Sequence, residues 1–295
     1  MKKIFFLTIL MTGIFCSCVS HKSAQSGKPL VFVSIVPQKY FVDKISGGVF
    51  DCEVMVPPGV DAHTYEPRPL QMSLLSKARA YFAIGLEFEK PWLPKFMALN
   101  GKLLIVNTDS LVPKIAMHDN DEPDADKKGQ EALDPHIWLS PSLVKMQATS
   151  VAAALCNIDT LHAALFRKNY EAFINNIDSL NVKLHEILPC DSASLLHQKP
   201  FLVFHPTWGY FAKDFCLRQI SIEVFGKEPS PRAMRAILDT ARKYNIKTVF
   251  SQPEFSRKSA EVIAHEIGAN VIDADALAYD WPNNLLAVAA HISGK

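Results

Sequence analysis

No C-x-x-C pair occurs among the six cysteines of the chain, which excludes a paired-thiolate zinc site and a dithiol redox motif. G-x-S-x-G, the P-loop and G-x-G-x-x-G are missing too, and with them the sequence signs of an esterase elbow, a nucleotide cradle and a dinucleotide fold. The metalloprotease string H-E-x-x-H fails twice. His265-Glu266 leads to Ala269 and His185-Glu186 leads to Pro189, so neither pair places two histidines on one helical face. An excess of one charge is also lacking, with 31 Lys and Arg against 30 Asp and Glu, and nothing indicates a nucleic-acid partner. After the N-terminal segment, no hydrophobic run is long enough to cross a bilayer.

That N-terminal segment is informative. Met1-Lys2-Lys3 followed by the apolar run Ile4 to Phe15 has the charged and hydrophobic regions of a secretory signal. Cys18 follows the small residue Ser17, as in bacterial lipoprotein signals, where the exposed cysteine is acylated; Cys16 suits cleavage less well because bulky Phe15 precedes it. Residues 1–18 are therefore expected to be a lipoprotein signal ending at Cys18, and 19–28 a polar tether. Cys52, Cys156, Cys190 and Cys216 remain. Outside the cytoplasm they allow three disulfide pairings, and buried free thiols are equally compatible with the sequence.

Short β-branched runs at Leu30–Val36, Glu53–Val56, Ala80–Ile84 and Leu103–Val106 alternate with helical stretches. The pattern repeats at Phe201–Phe204, Ile220–Val224, Thr248–Ser251 and Asn270–Ile272. This alternation predicts parallel α/β sheets. Ser140-Pro141 and Ser230-Pro231 each read as an N-cap followed by proline in the first turn. From Thr160 to Leu188 there is no Gly or Pro, and Leu161, Leu165, Phe166, Phe173, Ile174, Ile177, Leu180, Leu184 and Ile187 form a helical stripe ended by Pro189. Such a helix is roughly 40 Å long at 1.5 Å per residue, suited to a strut between two lobes. The expected organisation is an N-terminal α/β lobe at 29–158, a linking helix at 159–189 and a C-terminal α/β lobe at 190–295.

Three of the ten histidines share a context. His63 lies in P-P-G-V-D-A-H-T-Y-E-P, His136 in L-D-P-H-I-W-L-S-P and His205 in V-F-H-P-T-W-G-Y-F, each where an apolar run gives way to a proline-containing loop with an aromatic neighbour. They recur at nearly even intervals, and Asp275 lies one more interval along. Imidazoles with one carboxylate suit a tetrahedral site for a borderline divalent ion, above all zinc. Glu66 is expected to hold a histidine tautomer rather than to act as a base. His162 and His185 in the long helix, and His21, His197, His265 and His291, lack such neighbours and read as structural or solvent-facing. The acidic stretch Met117–Leu133 reads as a surface loop and, with His118, at most a loose collector of cations.

These motifs, with the signal and the late D-A-L-A-Y-D-W segment, resemble the metal-binding lipoproteins of bacterial zinc and manganese ABC importers, the cluster A-I solute-binding proteins, over nearly the whole chain. The resemblance implies two α/β lobes joined by one long helix, with His63 and His136 from the first lobe and His205 and a late carboxylate from the second holding metal in the cleft. Asp275 fits the family's D-x-L-A/G spacing, and Asp273 is the alternative. Histidine at 205 leans towards Zn2+ over Mn2+ or Fe2+. An ABC permease and its cytoplasmic ATPase are the implied partners of a monomer lipid-anchored on the periplasmic or surface side of the cell envelope. Many zinc-specific members carry a histidine-rich loop where this chain has the acidic segment. Four protein ligands leave no place for an activated water, so the expectation is a carrier and not an enzyme. The rivals are a surface adhesin and, further off, a zinc hydrolase with Glu66 as base.

Overall fold

The computed structural model of the chain describes residues 27–117, 133–191, 198–223 and 229–294. The signal, Cys18, most of the tether, His21, His118, His197, Val224 and nearly all of the acidic stretch lie outside the described residues.

Strands β1 (Leu30–Val33), β2 (Asp51–Val54), β3 (Ala80–Ala83) and β4 (Leu104–Asn107) form one parallel sheet in the order β2-β1-β3-β4. β5 (Lys199–Val203), β6 (Leu217–Ser221), β7 (Thr248–Ser251) and β8 (Asn270–Asp273) form a second with the equivalent order β6-β5-β7-β8. The inner strands are apolar along their length because helices cover both faces: all of β3 (Ala-Tyr-Phe-Ala) is buried. In both sheets the order reverses beside the first strand. In open parallel sheets such reversals leave crevices at the carboxyl ends of the strands, where ligands bind.

Helices α1 (Val36–Ser46), α2 (Pro69–Leu75) and α3 (Glu89–Leu99) follow β1, β2 and β3, and α4 (Pro141–Ile158) begins where the sequence predicts. Ser140 Oγ accepts a hydrogen bond from Leu143 N at 3.3 Å, with Pro141 in the first turn. The long helix α5 (Ala163–Ile187) is preceded by a 3-10 turn at Thr160–His162, in which the Asp159 carboxylate accepts from the Leu161 and His162 amides. That turn rotates Leu161 off the apolar stripe into solvent, 92% exposed, contrary to the helical pattern. Ala163, Phe166, Phe173, Ile177, Leu180 and Leu184 keep the buried spacing.

The second half adds α6 (Gly209–Asp214), α7 (Pro231–Lys243), α8 (Arg257–Ile267) and α9 (Trp281–Ser293). Ser230 caps α7 as expected, its Oγ accepting from Ala233 N at 3.1 Å. One core runs through both sheets, from Phe32, Phe41 and Phe82 across Phe173 of α5 to Phe211, Phe250 and Trp281. A smaller core lies between the second sheet and α7 and α8, around Leu202, Ile237, Val249 and Ile263. Helix α5 is the shared wall: it packs on α1 and α4 of the first half and on α9 of the second.

Two indoles stitch the halves together. Trp138 Nε1 donates to Ala276 O and Trp281 Nε1 to Trp138 O, each at 2.7 Å and buried. Nearby, Tyr279 Oη donates to Asp43 of α1 at 2.8 Å. Among the described residues one disulfide, Cys190–Cys216, closes the end of α5 onto the start of β6, whereas Cys52 is a buried free thiol and Cys156 a partly buried one. The bond spans 26 residues. Constraining a loop of that size in the unfolded chain contributes roughly 3 kcal/mol. Replacing Cys190 and Cys216 together by serine is expected to lower stability by about that amount in denaturant unfolding, with Cys52→Ser as the control that leaves the bond intact; an unchanged midpoint would show that the bond constrains nothing.

Candidate metal centre

Every polar side chain of the site leaves the carboxyl end of a strand. His63 lies in the loop after β2, Glu87 after β3, His136 in the connection from β4 to α4, His205 after β5, Glu223 after β6, Glu254 after β7 and Asp275 after β8. The three histidines, far apart in sequence, converge: one ring nitrogen from each lies within 4.8 Å of the others. His136 and His205 are buried and His63 is partly buried. Their rings face one another edge to face with centroids 5.2 to 5.5 Å apart.

Each imidazole is held by a carboxylate on Nδ1. His63 meets Glu87 Oε2 at 2.8 Å, His136 meets Asp134 Oδ1 at 2.8 Å and His205 meets Glu223 Oε2 at 3.0 Å. A carboxylate on Nδ1 fixes the proton there, leaving Nε2 with its lone pair as the donor atom. His205 Nε2 is sealed from solvent and has no hydrogen-bond partner. A buried ring nitrogen left in that state is costly unless something binds it. The donors enclose a chamber of about 30 Å³ lined also by Asp61, Trp138, Thr207, Glu254 and Leu277. That is room for an ion or one water and not for a metabolite. A wider cleft of about 670 Å³ opens onto it past His63, His205 and Phe255.

Backbone packing fixes these partners. Asp134 also accepts from the His136 amide at 2.9 Å, and its own carbonyl receives Tyr210 Oη at 2.9 Å. Gly209 makes room for it, since a Cβ there would lie 2.7 Å from Asp134 Oδ2. His205 stacks on Phe255 with centroids 4.6 Å apart, and its amide donates to Gln252 Oε1 at 3.2 Å. Asp61 accepts from both the His63 amide and Thr64 Oγ1 at 2.8 Å.

The structure corrects the expectation for Glu66. It is exposed, and the carboxylate on the His63 ring belongs to Glu87. Asp273 points away from the triad: it is exposed and paired with Arg257. Asp275, two residues on, is partly buried; its Oδ1 accepts from Leu277 N at 2.8 Å, and Asn284 Nδ2 holds its carbonyl at 2.8 Å. Neither aspartate belongs to the group of ligand atoms within 4.8 Å of one another, which comprises the histidines alone among the described residues. His162 bonds Asp159 and His185 bonds the Asn181 carbonyl, both on the surface. Glu87, Asp134 and Glu223 were missed by sequence reasoning; only Asp134 carried a local signal, in the D-P-H string.

The environment separates the imidazoles. Burial pushes His136 down to about 4, against the opposing charge and hydrogen bond of Asp134, with repulsion from His63 and His205 adding to the fall. Burial also acts to lower His63, but the hydrogen bond and charge of Glu87, with Asp61 and Glu223, outweigh it and the net direction is up. Glu87 answers in kind: burial opposes its ionisation, yet the His63 hydrogen bond and charge hold it at about 2. Glu254 is pushed up to about 7 by burial, with the charges of Asp275 and Asp61 adding to the effect of burial. Asp275 is raised by burial, with the Leu277 amide opposing.

Two parallel-sheet lobes on one long helix, with imidazoles gathered where they meet, define the class of metal-binding solute-binding proteins. The family of zinc-uptake complex component A, periplasmic (ZnuA) matches residues 31–287, and the chain belongs to that family. Among relatives, the high-affinity zinc uptake system protein ZnuA of Bacillus subtilis (strain 168) is 26% identical over 254 residues, 83% of this chain and 77% of that one. A crystal structure of ZnuA aligns with TM-score 0.81 and 43% identity over 90% of this chain and 98% of that one. A deletion mutant of ZnuA with zinc bound aligns with TM-score 0.80 at 43% identity, over 90% and 97%.

In the metal-free protein, His136 is expected to titrate near 4 and His63 above the ordinary 6.5. Glu87→Gln should bring the His63 transition down, because it removes the acceptor and the charge that raise it. Imidazole proton shifts followed by NMR against pH check both; two histidines titrating together at the ordinary value would refute the carboxylate pairing.

Proposed function

We propose that this protein captures Zn2+ outside the cytoplasm and hands it to the permease of an ABC importer. His63, His136 and His205 are its nitrogen ligands and Asp275 the late carboxylate. The observation that carries the reading is the buried, unpartnered Nε2 of His205 in an ion-sized chamber shared with two further imidazoles, each with Nδ1 committed to a carboxylate. Family membership and the likeness to a zinc-bound ZnuA structure support zinc. So does ligand chemistry, since three imidazoles with one carboxylate favour zinc over the harder manganese.

In this reading the lobes are residues 29–158 and 190–295, with 159–189 between them, and Asp275 brings the last ligand from the second sheet. The cross-lobe indole bonds and the shared core support a rigid frame in which the ligand loops move rather than the lobes. Metal enters by the wider cleft and leaves toward a permease driven by a cytoplasmic ATPase. The chain acts as a monomer held to the membrane through acylated Cys18. All ligands come from the protein, so the ion is held and released without chemistry on a bound water.

Competition titration with zinc on the mature chain, with elemental analysis, tests the assignment. One tight zinc site per chain is expected. His205→Ala and Asp275→Ala should each weaken it by more than the roughly 10–100-fold that loss of an orienting partner costs. No tight site in the wild type would overturn the function, and a silent Asp275→Ala would remove that residue from the ligand set.

The same titration against pH tests the imidazoles. Binding requires neutral rings, and His63, with its raised value, is protonated before His136, which stays neutral down to about 4. Zinc affinity is therefore expected to fall as pH drops from 8 through the His63 transition. His63 alone contributes up to roughly tenfold per pH unit below its value, because one competing proton is taken up. Affinity unchanged at pH 5 would refute histidine ligation.

A further inference from the structure

Glu254 lines the same small chamber as the three histidines, in the turn that follows β7. Its Oε1 is sealed from solvent and has no hydrogen-bond partner. Its polar neighbours are engaged elsewhere. Gln252 Oε1 receives the His205 amide while Gln252 Nε2 donates to Thr207 Oγ1. Asp61 receives the His63 amide and Thr64 Oγ1, and Asp275 Oδ1 the Leu277 amide. No lysine or arginine is among the described residues that line the chamber. A carboxyl oxygen in such a place is expensive to leave bare, and a cation in the chamber would satisfy it.

We propose that Glu254 is a further oxygen donor to the captured ion, so that two carboxylates, Glu254 and Asp275, face it beside the three imidazoles. The inference rests on the metal-carrier reading above. It changes what the site can hold. Four donors complete a tetrahedral zinc site, whereas manganese gains more from added oxygen ligands and higher coordination. Glu254 therefore sets the zinc-to-manganese ratio: it keeps manganese in competition, and its loss sharpens the preference for zinc.

The test compares wild type with Glu254→Gln and Glu254→Asp in zinc and manganese competition titrations, with X-ray absorption on each loaded protein and a thermal melt of each metal-free one. Glu254→Gln is expected to weaken manganese by at least the roughly tenfold that loss of an orienting partner alone costs, and zinc by less. Wild type loaded with manganese should show one more oxygen neighbour than the variant. Glu254→Asp keeps the charge but retracts the carboxylate, and is expected to lose manganese affinity at an unchanged melting temperature. Unchanged affinities and oxygen count in both variants would overturn the proposal and leave Glu254 as a partly buried carboxyl with no part in metal binding, with the carrier reading intact. A wild type without a tight site dependent on His205 would instead sink the carrier reading and this inference with it.

Discussion

The hydrogen bond from imidazole Nδ1 to a carboxylate, buried for Asp134 and Glu223 and exposed for Glu87, is the interaction on which this site depends. A free imidazole presents either nitrogen and turns about two side-chain bonds. Glu87, Asp134 and Glu223 remove both freedoms at once, fixing the tautomer and the ring plane of His63, His136 and His205. The donors are thus arranged before an ion arrives, and the ordering is provided by folding rather than by binding. The carboxylates also make the chamber attractive to a cation, while burial keeps His136 unprotonated at neutral pH.

Such precision requires a frame that does not give way. The indoles of Trp138 and Trp281 bond across the two halves directly behind His136, and helix α5 presents one apolar face that helices of both halves share. The aromatic group of Tyr40, Phe41, Phe173, Tyr279 and Trp281 fills the seam. Opening the halves as rigid bodies would break these contacts together. His63, His136 and His205 lie on the loops at the strand ends, outside this seam.

Much of the fold was legible because it follows from local chemistry. Ser140 and Ser230 cap helices where an N-cap precedes proline, the apolar runs became parallel strands, and the Gly- and Pro-free stretch became α5. The differences have local causes as well. Asp159 captures two amides and winds the first turn as 3-10, which puts Leu161 outside. None of the three complete pairings formed: Cys52 and Cys156 stay free, and Cys190–Cys216 bonds because the end of α5 abuts the start of β6, with Cα atoms 5.3 Å apart, a proximity no spacing rule conveys.

The site divides along the same line. His63, His136 and His205 stand out in the sequence because rigid Pro and aromatic neighbours surround each, a feature within reach of a few residues of chain. Glu66 lies near His63 in sequence, whereas Glu87, which holds the ring, follows β3, two strands across the sheet from the β2 strand that His63 follows. Asp275 fits the spacing better and Asp273 is the alternative two residues before it; the end of β8 turns Asp273 out to Arg257 and leaves Asp275 partly buried with its Oδ1 on the Leu277 amide. By itself, the sequence determined which residue types can ligate, the class of fold and the helices that frame it, since these rest on propensity, periodicity and capping. Only the tertiary structure decided which carboxylate meets which imidazole and which polar atoms are left buried without a partner, because those are properties of groups that strand order brings together across the chain.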